Sequence, residues 1–420
     1  MSHVILTGLL KPTSLISTIA ICVSFFGALM MPVVGSIIDH TPHRKLVGQR
    51  AAYFLIVLAA VQISVCEDTF EVMVGCFILF GFAYTIHSTT AGAYLPDLDF
   101  DYKRMGEFSA LFNCIELATM ILFGGLVLVL SSVLDKGDVG TATLSQSILV
   151  AGLLIVWLFA WHFLFTDRPA LHNLEEGKSV YTSGFTMVKS TLLDMHQNHP
   201  NLRLFWISLA LSQSATGALT AVSTTYMDDE LEMTNAEISA AFVVVLLFAI
   251  PGTFLSRTFN RAFNPLRSYR LCVILFLSNT LLAAIVLQDE DTKNYVYIFC
   301  AVWGVLYGWK PCAEVTVYIT IIPRGRETEM MGIKSLAGGA FIWLPALIFT
   351  IMNECDIPLR WCLASLCIFL AMSFVVSRYM DSYESIVDKV KAKNGEESSE
   401  EENLKGGNSL LVTMATYTFF

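Results

Sequence analysis

Residues 35 to 45 read GSIIDHTPHRK, directly after the apolar run LISTIAICVSFFGALMMPVV at 15 to 34. About 20 consecutive apolar residues suffice to cross a bilayer as a helix. This run ends at Gly35, meets Asp39, and closes on Arg44 and Lys45. Working outward, the first span lies near 12 to 38. Similar runs recur near 49 to 66, 70 to 95, 107 to 134, 143 to 166, 203 to 227, 236 to 258, 269 to 287, 294 to 321, 328 to 352 and 359 to 380, eleven in all. Hydrophobic residues make up 55% of the 420 and charged residues only 15%, too apolar for an ordinary soluble domain. The expected fold class is therefore all-α, a polytopic membrane protein of about eleven transmembrane helices.

The start MSHVILTGLL lacks a basic leader and a small-residue cleavage site, so the first span is expected to serve as its own insertion signal. The ten cysteines show no CxxC and no metal-ligand spacing. Most, such as Cys22, Cys76, Cys114, Cys300 and Cys367, fall inside apolar runs and read as small hydrophobes. Part of the net charge of -10 comes from EESSEEE at 396 to 402, read as a solvated, disordered tail.

Loop charge alternates along the chain. One set of loops carries Arg44, Lys45, Arg50, Lys103, Arg104, Arg168, Lys178, Lys189, Arg203, Arg257, Arg261, Arg267, Arg270, Arg324 and Arg326. The other set, with CEDTFE, LDKGD, DDELE, QDEDTKN and NECDIP, holds only Lys136, Lys293 and Arg360 as basic residues. The positive-inside rule puts the basic set in the cytosol, the N-terminus outside and the C-terminal tail inside. The long connection after Asp167 implies an N-terminal bundle of about five spans at 1–167, a cytosolic linker at 168–202, a C-terminal bundle of six spans at 203–380, and a tail at 381–420.

The two bundles echo each other. Laying GSIIDHTPHRKLVGQR (35 to 50) on GTFLSRTFNRAFNPLR (252 to 267) matches Gly35 to Gly252, Arg44 to Arg261 and Arg50 to Arg267. A second echo relates 83–106 to 306–332; each has an aromatic-rich helix with a mid-span polar residue, then Pro, a basic loop and Met-Gly. Through Gly35, Asp39, Arg44 and Lys45 the opening segment resembles the signature loop of the major facilitator superfamily. That resemblance implies paired helix bundles with a solute site between them at mid-membrane. Gly35 would allow close helix approach, Asp39 would cap or pair at a helix end, and Arg44 and Lys45 would bond the facing half in one access state. The alternative is an ordinary helix end followed by positive-inside residues.

Within the superfamily, IIPRGRETEMMGIKSLAGGAFIWLPALIF (321 to 349) and AYLPDL (93 to 98) are similar to the autophagy-related vacuolar amino-acid effluxers. Where that family has a polar Gln and Ser-Arg in its tenth helix, this chain has GWKPCAEVTVY. One span, not two, precedes the signature loop, so the first helix of twelve is missing and an incomplete chain is expected.

Solute-binding groups are sought at mid-membrane, where a charge is costly without a partner or an aqueous cavity. Lys310 and Glu314 share one helix face, roughly 20 Å and 14 Å before its end near Pro323. Glu116 and His87 lie about 14 Å into their helices. His87 and Lys310 are the expected cavity groups, with Glu314 and Glu116 as proton carriers or ammonium contacts. The plainer readings are that Lys310 and Glu314 neutralise each other as an i, i+4 pair and that His87 is a packing residue. Gln213, in SLALSQSATGALTAVSTTY (208 to 226), adds a polar group on the seventh helix.

These readings converge on a secondary transporter using alternating access. The resemblance implies amino acids or similar small polar solutes as cargo, a vacuolar or other endomembrane setting, and protons as a candidate coupling ion. Beyond that solute and the lipid bilayer, no cofactor, metal or nucleic-acid partner is expected. Another facilitator class, for a metal ion or a pterin, and a transporter-like sensor remain alternatives. No HExxH, GxSxG or P-loop supports an enzyme.

Overall fold

The computed structural model describes residues 11, 14–62, 70–92, 94, 115, 117–126, 129–130, 139–167, 179–322 and 327–389. Long apolar segments with no water to bond must satisfy every backbone group internally, and the chain does so as helices. These are α1 (Leu15–His40), α2 (Arg44–Gln62), α3 (Phe70–Gly92), α4 (Leu117–Leu126), α5 (Val139–Phe163), α6 (Val180–Asn198), α7 (Pro200–Asp229), α8 (Asn235–Phe263), α9 (Pro265–Val286), α10 (Val296–Ile321), α11 (Glu327–Ala340), α12 (Trp343–Glu354) and α13 (Leu359–Arg378). Among the described residues, seven helical segments are long and apolar enough to cross a membrane; α7 is not one of them, because hydroxyl and amide side chains dilute it.

Large apolar side chains such as Val72, Phe159, Leu282, Ile298 and Ile368 face outward. In a soluble protein such a surface would aggregate, whereas in lipid it is the expected exterior. Inside, α7 to α13 share a continuous core around Phe205, Tyr269, Phe276, Trp309 and Phe349. A smaller core of Leu55, Ala59, Ala83 and Leu154 joins α2, α3 and α5.

Local chemistry fixes the turns. Thr234 and Glu237 bond each other's backbone N–H groups, a capping box that starts α8. At the far end Asn264 takes φ of 82° with ψ of 153°, a strained conformation for a residue with a Cβ, and its Oδ1 accepts from Arg267 N at 2.9 Å, so α9 begins at Pro265. The turn reverses the chain between α8 and α9.

Pairing between α8 and α10 is backbone to backbone. A Cβ on Gly252 would overlap the Val305 carbonyl, one on Gly304 the Val245 carbonyl, and one on Gly308 the Ala249 carbonyl. Small residues permit this approach. Gly35, expected to play the same part in α1, has no atom of a described residue within 4 Å of its would-be Cβ. The close contact on α1 falls elsewhere: a Cβ on Gly184 of α6 would strike the Pro32 carbonyl, and Ser36 Oγ donates to Val180 O at 2.7 Å. Residues 180–198, read as part of a linker, thus form a helix laid against α1.

Loops sort to two ends. Lys293 meets Glu237 at 3.6 Å, joining two acidic loops, while Asn201 bonds Asp381 at 3.1 Å and Asn264 bonds Glu384 at 3.1 Å at the opposite, basic end. These are the same groupings as the charge alternation.

Candidate solute site and gates

With Gly304 and Gly308 turned to α8, the 3.6-residue period points Lys310 and Glu314 the other way, into α7. Lys310 Nζ lies 2.8 Å from Glu314 Oε1, with side chains only 3% and 1% exposed. Lys310 also donates to Thr216 Oγ1 at 3.3 Å. Glu314 Oε2 accepts from Gln213 Nε2 at 2.6 Å, and Oε1 from Ser212 Oγ at 3.4 Å. Ser212 and Ser208 share hydrogen bonds with Tyr269 OH, and Ser208 reaches Ser373, so the network runs from α10 through α7 to α9 and α13. Tyr307 OH donates to Thr216 O at 2.7 Å, fixing α7 one turn from Lys310.

Gln213, Lys310 and Glu314 are therefore brought together. The mutual neutralisation of Lys310 and Glu314 is present, and neither group is left to an open cavity. Glu116 lies outside the described residues, as does the side chain of Asp39. His87 is placed elsewhere: its Nε2 accepts from Trp161 Nε1 at 2.8 Å, and its ring stands edge-on to Trp157 at 5.3 Å. That is a hydrogen-bonded aromatic cluster between α3 and α5, distinct from the α7–α10 network.

The contacts described for Arg44 and Lys45 lie within their own half. Arg44 is buried with its guanidinium 5.2 Å from the Tyr94 ring, and Lys45 Nζ reaches His162 O at 3.4 Å. Gly252 supplies the close approach to α10 described above, and Arg261 is exposed in the last turn of α8. Sequence reasoning expected the bonds between halves at this end; the described ones lie at the acidic end.

There Lys11 Nζ binds Asp356 Oδ1 at 2.7 Å and Asn353 O at 2.6 Å. Ser14 Oγ donates to Glu354 Oε1 at 2.6 Å, Asn353 Nδ2 donates to Ser14 Oγ at 2.9 Å, and Ser17 and Thr350 hydroxyls meet at 2.8 Å. Further along, Phe25 stands edge-on to Trp343 at 5.7 Å. The first spanning helix and α12 are thus latched together. Lys11→Ala should weaken this latch only modestly, the exposed pair being screened by solvent, and raise the labelling rate of an introduced Ser17→Cys by roughly fivefold. An unchanged rate would show that the bonds of Ser14 to Glu354 and Asn353 hold the latch alone.

The latch should also withstand acid. The hydrogen bond and charge of Lys11 hold the Asp356 carboxyl below the usual carboxylate range. A depressed value means the contribution is present above the unfolded value of about 3.9 and is lost only as pH falls below it. Acidification from pH 7 to about pH 5 is expected to leave Ser17→Cys labelling unchanged.

Sequence reasoning missed Lys334. It lies on α11, half-buried, within coulombic reach of both Glu314 and Lys310. The signal was available: with Glu329 it is one of two charges inside the apolar run 328 to 352, and it lies the deeper of the two.

Comparison with solved structures supports the architecture. A bacterial homologue of the iron transporter ferroportin, in an outward-facing state, aligns with a TM-score of 0.58 at 16% identity, over 88% of this chain and 89% of that one. The E. coli fucose:proton symporter FucP aligns with 0.58 at 13% identity, over 88% and 90%. The nucleoside transporter NupG aligns with 0.55 at 13%, over 89% and 90%. At such identities the likeness is one of fold. Comparison with curated protein sequences finds no match. The sequence pattern of the Major Facilitator Superfamily matches residues 14–344, most of the chain. With that match and the shared fold, the chain belongs to the Major Facilitator Superfamily of secondary transporters.

Proposed function

We propose that this transporter moves small polar solutes, amino acids among them, across an endomembrane by alternating access, with protons as the candidate coupling ion. The observation that carries the reading is the buried group formed by Lys310, Glu314, Gln213 and Thr216, set well inside two long helices. A charge pair at that depth is expensive, and a helix retains one where a polar solute or a proton must be handled. Two lysines beside one carboxylate disfavour a metal cation as cargo, which supports an organic solute over the metal alternative. The vacuolar setting rests on the likeness of 321–349 and 93–98 to the autophagy-related effluxers.

Reconstitution of the full chain into vesicles, with labelled amino acids and an imposed proton gradient, tests this reading. Saturable, gradient-dependent uptake above protein-free vesicles is expected. Uptake equal to that of protein-free vesicles for every amino acid would overturn it.

A further inference from the structure

The group left unassigned by this reading is Lys334. Helices α10 and α11 are joined by a short connection, and Tyr318 OH donates to Met330 O at 2.5 Å. Moving one turn from that link along each helix, in opposite chain directions, brings Glu314 level with Lys334. Lys334 shares a helix stripe with Met330 and Ala337, both fully buried, so it sits on the inward side of α11.

Charge accounting then separates the three ionisable groups. Lys310 is committed to Glu314 and Thr216. Both oxygens of Glu314 are engaged, Oε1 by Lys310 and Ser212 and Oε2 by Gln213. Lys334 makes no hydrogen bond or ion pair with any described residue, although it feels both neighbouring charges. Two ammonium groups against one carboxylate leave a local surplus of one positive charge. An ammonium at this depth calls for an anionic partner. A solute ammonium, by contrast, would have to displace Lys310 from Glu314 while facing two like charges.

Resting on the transport reading, we propose that Lys334 is the anion-binding residue of the solute site, and that the preferred solute is a small organic molecule of net charge -1 held through a carboxylate. An acidic amino acid or a simple hydroxy acid has this charge; a neutral amino acid does not. The surplus matches a single carboxylate, and a doubly charged phosphate would carry excess negative charge into the site.

The test uses carboxylate and carboxamide pairs of equal shape: L-glutamate with L-glutamine, and L-lactate with lactamide. Their binding to the detergent-solubilised full chain is read as a rise in unfolding temperature. At least one carboxylate should bind about tenfold or more tighter than its amide, in line with a charge-assisted hydrogen bond. That preference should vanish in Lys334→Gln and persist in Lys334→Arg, which also controls for folding. Equal binding of acid and amide, or a preference retained in Lys334→Gln, would overturn the inference. Uptake of neutral amino acids without any carboxylate preference would leave the transport reading standing and remove this one. A carboxylate preference in binding with no uptake of any solute would do the reverse.

Discussion

Lys310→Met should cost the full chain about 3–5 kcal/mol of stability, because it strands the buried carboxylate of Glu314 without its cation. Gln213 and Ser212 would still donate to that carboxylate, and Lys334 lies within coulombic reach, so the lower end of the range is expected. Lys310→Met combined with Glu314→Gln should recover most of the loss, since the pair is then removed as a unit. Thermal unfolding in detergent reads both changes, and a single variant as stable as the parent would refute the argument. Uptake assays then separate folding from binding. Transport regained in the double variant would make the pair structural; transport absent from a stable double variant would assign Lys310 a part in binding.

The second large effect is expected at Gly308. Its would-be Cβ meets main-chain atoms of Ala249 and Thr253, which cannot rotate away as a side chain would. Gly308→Leu must therefore separate α8 from α10, at the top of the roughly 1–3 kcal/mol usual for overpacking or above it. Because Lys310, two residues on, points the opposite way, the same displacement would press on α7 and disturb the bond of Lys310 to Thr216. A lower unfolding temperature with loss of uptake is expected. Gly35→Leu, by contrast, meets no described residue at its Cβ and should change stability little. Comparable losses at both positions would contradict the packing described.

Local periodicity made some of this legible in advance. The i, i+4 spacing of Lys310 and Glu314 implied their pairing, and the polar run containing Gln213 pointed to the partner helix. Features that depend on distant contacts were not readable. Lys11 and Asp356 stand 345 positions apart, and nothing in either segment announces the other. His87 lies well inside α3, but its partner Trp161, 74 positions on, decides that it joins an aromatic cluster. Helix α6 escaped notice because its sequence, VYTSGFTMVKSTLLDMHQN, is too polar for a span; its buried positions Gly184, Thr191 and Met195 emerge only once α1 and α7 are beside it.

The hydroxyl-rich character of α7 has a consequence for how the chain is made. Ser208 bonds Ser373, 165 positions later, and Gln213 bonds Glu314, 101 positions later. At ~5–20 residues per second, α7 must wait on the order of ten seconds or more for α13 to be synthesised. Until then its hydroxyls can turn back on their own helix, as Ser214 does to Ala210 O and Thr216 to Ser212 O. A helix too polar to settle alone in lipid would thus stay near the insertion machinery until its partners emerge. Truncation after α12 should leave α7 exposed to quality-control proteases, even though every residue of α7 itself is present.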